Sequence, residues 1–218
     1  MRRLSFLLLA TLSPAASAQS AKTAFGGTIP PSCEGGHIDL AQLSACRCAL
    51  SYPPVIVNGQ QAIVAGSSCG SAIEQTKIAP LVNLSVAVTP AVIHGGDPIT
   101  FVVTIKNQTN APVPVVMRHQ PAFWHDTDLK LIDWNGHDVA HDGPCGSGVG
   151  GAGGNYMIVL APLGVAEWRV PYRAVTMVSD ANCAISQRPL RPGSYTVQIS
   201  LPLMQMNSPV AVGSLRVQ

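Results

Sequence analysis

Apolar and polar residues alternate along most of the chain from residue 81 onward. The clearest run covers residues 97–116. Its alternating apolar positions are Ile99, Phe101, Val103 and Ile105. A period of two places these side chains on one face, which is the pattern of a half-buried strand. The polar residues 107–112 then predict a turn, and Val113 begins a return strand.

The same alternation predicts further strands on both sides of this run. They lie at residues 82–88, 127–131, 156–160, 166–172, 195–201 and 210–217. A turn is expected at residues 162–164 and a bulge at Gly213. Tyr195 lies two residues after Gly193 of a Pro-Gly turn, at the start of its predicted strand, which is the position of a tyrosine corner. We therefore predict an all-β fold, an Ig-like antiparallel β-sandwich of about eight or nine strands, preceded by a small disulfide-stapled segment.

The N-terminus has the pattern of a secretory signal peptide over residues 1–18. Arg2 and Arg3 precede an apolar run and an A-x-A site that ends at Ala18. We expect cleavage near Ala18 and a secreted or periplasmic protein, without a transmembrane segment because the apolar run is too short. Residues 19–32 are interpreted as a flexible tether, residues 33–80 as a small Cys-rich segment and residues 81–218 as the sandwich.

Six cysteines in an exported chain are expected to form disulfides. Cys145 and Cys183 lie in the two longest loops of the sandwich and are predicted to pair. The Cys-rich segment allows three pairings, which the sequence leaves open. Its cysteines are Cys33, Cys46, Cys48 and Cys69. In the same segment, Asp39 is predicted to cap a short helix through Leu50, and Asn58-Gly59 predicts a hairpin.

The charge balance of the chain argues against nucleic acid as a partner. Arg2 and Arg3 are two of the 13 basic residues, so the mature chain has 11 basic and 11 acidic residues. This balance provides no electrostatic footprint for nucleic acid, and we expect no nucleic-acid partner.

Several segments of residues 97–202 share their order with a known family. They are FVVTIKN at 101–107, TNAPV at 109–113, DLKLID at 128–133 with NG at 135–136, LAPLG at 160–164 and LRPGSYTV at 190–197. In this order they resemble the bacterial intracellular proteinase inhibitors, which are Ig-like sandwiches. The resemblance covers about half of the chain. It implies the same fold and, as a function, proteinase inhibition.

Residues 118–142 concentrate the side chains that can bind metal ions. They contain four of the six histidines and five of the 11 acidic residues. The candidate ligands for zinc or copper are His119, His125, His137 and His141. If residues 137–141 are extended, the two rings there lie about 13 Å apart and cannot bind one ion without a bend.

The same region contains two aromatic residues in a predicted loop. Exposed aromatic side chains can anchor a protein or glycan partner, or they can close the end of a sandwich. Together with two histidines they form the predicted contact surface. Its members are His119, Phe123, Trp124 and His125.

The leading functional hypothesis is a secreted or periplasmic, non-enzymatic binding module without a cofactor. The alternatives are a periplasmic zinc- or copper-binding protein and a secreted proteinase inhibitor. Two enzyme-like strings lack the structural context that their chemistry needs. Residues 148–153 match G-x-G-x-x-G without a βαβ unit, and residues 66–70 match G-x-S-x-G without a helix after Ser68.

Overall fold

A computed structural model of the chain describes residues 33–48, 50–51, 54–57, 60–63, 66–67, 77–119, 129–145, 155–207 and 209–218. The predicted signal peptide and tether lie outside these residues. Cys69, Phe123, Trp124 and His125 also lie outside them.

Within these residues the chain forms sixteen strands and one 3-10 helix. The first eight strands are β1 (Glu34–Asp39), β2 (Leu50–Ser51), β3 (Pro54–Val57), β4 (Gln60–Ile63), β5 (Gly66–Ser67), β6 (Val82–Thr89), β7 (Val92–Ile93) and β8 (Pro98–Asn107). The others are β9 (Val113–Met117), β10 (Leu129–Ile132), β11 (His141–Asp142), β12 (Tyr156–Arg173), β13 (Val175–Ser179), β14 (Ile185–Pro189), β15 (Gly193–Ser200) and β16 (Val210–Val217). The 3-10 helix is Leu40–Cys46.

Two groups of strands enclose the main core. β12, β8 and β6 are neighbours in one group, and β16, β15 and β10 are neighbours in the other. The alternate residues predicted from the sequence point inward and belong to one buried cluster. From the two groups they include Phe101, Val103, Ile105, Leu131, Val197 and Ile199. The predicted all-β, Ig-like sandwich with a disulfide-stapled segment before it is confirmed.

The tyrosine corner is also present. Tyr195 is buried at the start of β15. Its hydroxyl donates a hydrogen bond to the backbone oxygen of Arg191 at 2.7 Å. The corner therefore ties the first residues of β15 to the segment that precedes it.

The sheets are mixed rather than wholly antiparallel. β1 pairs with β12 in parallel, and β16 runs parallel to both β6 and β7. A parallel pair needs a long connection between its strands, which more than a hundred residues of chain provide in each case. β1 therefore extends the sandwich sheet as a further strand.

β12 corrects the predicted turn at residues 162–164. The strand continues through these residues, and Leu163 has a φ of 59°. β9 pairs with the first part of β12 and β8 with the second part. The strand therefore bends and changes partner where the sequence predicted that it would end.

The predicted bulge at Gly213 is wrong. β16 pairs with β15 in unbroken register, with Gly213 opposite Val197. A Cβ atom on Gly213 would overlap the backbone oxygen of Val86. Glycine at this position lets β6 approach β16 closely next to the paired residues Ser85 and Val212.

The N-terminal segment partly follows its prediction. Asp39 caps the helix, and its carboxylate accepts a hydrogen bond from the Ala41 N–H at 2.9 Å. The helix ends at Cys46 rather than Leu50 because Arg47 is extended and bridges to Tyr156. The predicted hairpin is confirmed by the antiparallel pairing of β3 with β4. No helix in the described part of the chain is long and apolar enough to cross a membrane.

The disulfides resolve part of the open pairing. Cys33 bonds to Cys46, and Cys48 is itself disulfide-bonded. Cys145 and Cys183 form the predicted bond with a Cα–Cα distance of 5.4 Å. This second bond joins the segment after β11 to the connection between β13 and β14. Together with β11, these strands form a small three-stranded sheet that the sequence pattern did not predict.

Candidate binding cleft

A cleft of about 270 Å³ opens between the segment after β10 and the segment that joins β14 to β15. Its charged, amide and aromatic lining residues are Asp133, Trp134, Asn135, Arg188, Arg191 and Tyr195. Val139, Thr176, Pro189 and Leu190 complete the lining. The cleft thus combines one carboxylate, two guanidinium groups, a side-chain amide and an indole ring within the volume of one small ligand group.

Residues 133–137 form a turn closed by hydrogen bonds from both backbone and side chain. The Asp133 N–H donates to the His137 oxygen at 2.9 Å, and the Gly136 N–H donates to the Asp133 oxygen at 3.0 Å. One carboxylate oxygen of Asp133 accepts from the N–H groups of Asn135 at 2.8 Å and His137 at 2.9 Å. Gly136 has a φ of +81°, which glycine adopts without strain. The turn is therefore a fixed support for the side chains that it carries.

These hydrogen bonds also set the charge of Asp133. The backbone N–H of His137 lowers the pKa of the Asp133 carboxyl, and the N–H of Asn135 acts in the same direction. Both bonds favour the ionised form. Asp133 therefore carries a negative charge at the rim of the cleft at neutral pH.

Trp134 is a large aromatic side chain that remains 65% exposed. The six-membered part of its indole lies against the backbone of Gly193. A Cβ atom on Gly193 would come within 2.7 Å of Cζ3 and 3.2 Å of Cε3 of this ring. Only a residue without a side chain allows the ring to lie there, so Gly193 supports the position of Trp134.

Arg188 lines the cleft and forms an ion pair with Asp142, with 2.9 Å between guanidinium nitrogen and carboxylate oxygen. Tyr195 also lines the cleft, and burial raises the pKa of its hydroxyl. The charge of Asp133 raises this pKa further, while Arg191 lowers it. The Tyr195 hydroxyl is therefore protonated at neutral pH, consistent with its donating to the Arg191 carbonyl.

The structure describes three of the four histidines predicted as metal ligands, and these three lie on separate segments. His119 follows β9, His137 closes the turn at the cleft, and His141 begins β11. Among the residues that the structure describes, no three His, Cys, Asp or Glu side chains are grouped so that they could hold a metal ion. His125 and the aromatic pair Phe123 and Trp124 lie outside these residues, so the predicted contact surface stays a prediction.

Sequence reasoning treated Trp134 only as part of a turn. The signal that could have indicated its role is a tryptophan directly before Asn-Gly in a chain with only three tryptophans. A turn that contains Asn-Gly usually lies at the surface. A large apolar side chain such as tryptophan at that position indicates a contact with another segment or with a ligand. The partners of Trp134 across the cleft come from residues 188–195, more than 50 positions later in the chain.

No protein-family model and no curated protein matches the chain. Among solved structures, a β-glucosidase from Erythrobacter marinus is similar with 10% identity and a TM-score of 0.33, over 74% of this chain and 18% of that chain. A β-glucosidase from Listeria innocua has 13% identity and a TM-score of 0.31, over 63% and 16%. The CARDB domain of a Pyrococcus furiosus protein has 15% identity and a TM-score of 0.28, over 66% and 92%.

The chain spans less than a fifth of the length of either glucosidase. TM-scores this low establish neither a shared activity nor a shared ligand.

Proposed function

We propose that this chain is an exported, non-enzymatic binding module whose ligand enters the cleft beside Trp134. Its oxidised cysteines are typical of extracellular or periplasmic proteins. The N-terminal residues 1–18, with the pattern of a signal peptide, support the same location.

The exposed indole of Trp134 is the observation that carries this proposal. Tryptophan is enriched among the residues that contribute most to binding, because its large apolar surface is covered when a partner binds. An indole held by a closed turn on one side and Gly193 on the other loses little conformational entropy on binding. Preorganisation of this kind strengthens binding by lowering the entropic cost of association.

The ligand-facing groups around the ring favour recognition over chemistry. Asp133 already accepts two backbone hydrogen bonds, and Arg188 is paired with Asp142. Such groups present hydrogen-bonding directions to a ligand. The predicted surface of His119, Phe123, Trp124 and His125 remains a second contact region in this proposal. Zinc or copper binding and proteinase inhibition stay predictions from the sequence.

A fragment screen observed by NMR tests the proposal. The protein labelled with ¹⁵N has three indole N–H signals, and Trp134→Phe identifies the signal of Trp134. Four fragment groups are titrated separately: neutral sugars, carboxylates, amines and short peptides. We expect at least one group to shift the Trp134 signal in a saturable manner.

Two variants separate binding from general surface effects. Gly193→Ala displaces the indole and is expected to weaken the response, while Leu163→Ala removes another exposed apolar side chain and should leave it unchanged. If none of the four groups produces a saturable shift of Trp134, the cleft is not the binding site.

A further inference from the structure

The charges around the cleft are balanced, and this balance limits the ligands that it can accept. Arg188 is paired with Asp142 at 2.9 Å, which leaves Asp133 and Arg191 as the opposite charges on the rim. An anionic ligand would meet the carboxylate of Asp133, whose lowered pKa keeps it ionised. A cationic ligand would meet the guanidinium of Arg191. A neutral ligand avoids both repulsions and can hydrogen-bond to both groups.

The shape and chemistry of the lining select among neutral ligands. The indole of Trp134 offers a flat apolar surface, and Asp133, Asn135 and Arg191, which line the same cleft, carry hydrogen-bond acceptors and donors. A sugar ring matches this arrangement, because its C–H groups form an apolar face and its hydroxyls donate and accept around the edge. A purely apolar group would cover the charged rim without replacing its hydrogen bonds to water, which is unfavourable.

The volume of the cleft agrees with one sugar ring. About 270 Å³ lies just below the range of pockets for drug-sized molecules. One ring-sized unit can therefore enter. The remainder of a longer glycan would extend past the exposed edge of Trp134 into solvent.

A peptide that adds to β14 as a new strand is disfavoured by the sequence of that strand. The ladder between β13 and β14 continues to Leu190, whose N–H donates to the Ala174 oxygen at 2.9 Å. Hydrogen-bonding directions alternate along a strand, so the backbone nitrogen of Pro189 faces the outer edge. Proline has no N–H, and the edge therefore lacks a donor at the position beside the cleft.

We propose that the cleft binds a neutral saccharide unit of a glycan, with its ring stacked on Trp134 and its hydroxyls bonded to Asp133, Asn135 and Arg191. This inference rests on the proposed binding function and names its ligand class. Stacking on the rigid indole supplies the apolar contact, and the polar rim supplies orientation.

Affinity electrophoresis in native gels tests the ligand class. The probes are three neutral polysaccharides (laminarin, xyloglucan and galactomannan), the anionic polygalacturonate and the cationic chitosan. A mixture of tryptic casein peptides is titrated by NMR in parallel. We expect at least one neutral polysaccharide to retard the protein and to shift the Trp134 indole signal.

Variants connect the retardation to the cleft. Trp134→Ala should weaken binding at least about tenfold, as is common for a central tryptophan, and Trp134→Tyr should retain part of the affinity because it keeps an aromatic face. Leu163→Ala is the matched control and should bind like the unaltered protein. Equal melting temperatures among the variants would show that each is folded.

The outcomes separate the two proposals. If only polygalacturonate, chitosan or the peptides shift the Trp134 signal, the saccharide inference is overturned and the cleft remains a binding site. Retardation by a neutral polysaccharide that survives Trp134→Ala also overturns the inference. If no probe or fragment affects Trp134, both proposals fail.

Discussion

Asn107 offers the most decisive test of how the sandwich is held together. Its side chain is fully buried at the end of β8. The side-chain amide group donates to the backbone oxygens of Ala111 at 2.8 Å, Ala161 at 2.9 Å and Leu160 at 3.3 Å. The amide oxygen accepts from the N–H and the hydroxyl of Thr109 at 2.8 and 2.9 Å. One side chain thus closes the turn after β8 and joins it to the bend of β12.

We expect Asn107→Ala to lower the free energy of unfolding by about 3 kcal/mol. A hydrogen bond contributes about 1 kcal/mol net, and a buried partner left unpaired costs about 1–3 kcal/mol. Some of the partners are only partly buried and can bind water in the variant, so the total stays below the simple sum. For a domain of this size the melting temperature should fall by about 6–12 °C.

Chemical denaturation followed by circular dichroism measures this loss, with Gln108→Ala as the control. The next residue, Gln108, has an exposed side chain, and its replacement should change the free energy of unfolding by less than about 0.5 kcal/mol. A loss below about 1 kcal/mol for Asn107→Ala would refute the role assigned to this side chain.

The variant Asn107→Asp tests whether the side-chain nitrogen of Asn107 donates to these carbonyl groups. It keeps the shape but turns an oxygen toward three carbonyl groups, so the ionised form is disfavoured in the folded state and the pKa of the new carboxyl is raised. Stability relative to the unaltered protein should therefore recover as the pH falls below about 4 and decline as it rises above that value. A variant whose relative stability does not depend on pH would contradict this reasoning.

Three further predictions concern a buried amide, a half-buried tyrosine and a disulfide bond. Gln205 accepts from the Val116 N–H at 2.8 Å, so Gln205→Leu leaves a buried N–H unpaired and should cost about 2 kcal/mol in denaturant unfolding. Burial, and then the charge of Asp138, raises the pKa of Tyr172 to about 12. Its contribution to stability is therefore complete below pH 10 and is lost as the pH rises through 10 to 12, and Tyr172→Phe should reduce this alkaline loss. Removing the Cys145–Cys183 bond, which closes a separation of 38 residues, should cost about 3–4 kcal/mol.

Each of these has a contrary outcome. An unchanged denaturation midpoint for Gln205→Leu would contradict the prediction that the variant leaves the Val116 N–H unpaired. A tyrosine titration at 295 nm in which the component lost on Tyr172→Phe has its midpoint near pH 10, the ordinary value for tyrosine, would contradict the raised pKa. The disulfide prediction fails if Cys145→Ala with Cys183→Ala unfolds at the same denaturant concentration as the oxidised protein.

The alternation of apolar and polar side chains is sufficient to determine the fold class. Ile99, Phe101 and Val103 are buried where the period of two predicts them, because a strand alternates its side chains between two faces whatever lies next to it. Tyr195 and Asp39 were equally predictable, since a tyrosine corner and a helix cap depend on residues within about four positions.

Contacts between distant segments were decided only by the tertiary structure. The bend of β12 depends on Asn107, which bonds to oxygens 53 and 54 positions away. The sequence pattern at Gly213 predicted a bulge, but this glycine instead allows the close approach of Val86 on β6. Local patterns cannot report such contacts, because they depend on which strands become neighbours.

The candidate site follows the same division. The sequence by itself determined the turn that carries Trp134, through Asp133 and the Asn-Gly pair. Whether that indole would be covered by the core or presented to solvent depended on Gly193, some 60 residues later, and on the wall formed by Arg188 and Arg191. A turn is specified by its own few residues. A cleft requires separate segments to meet, and only the folded sandwich brings them together.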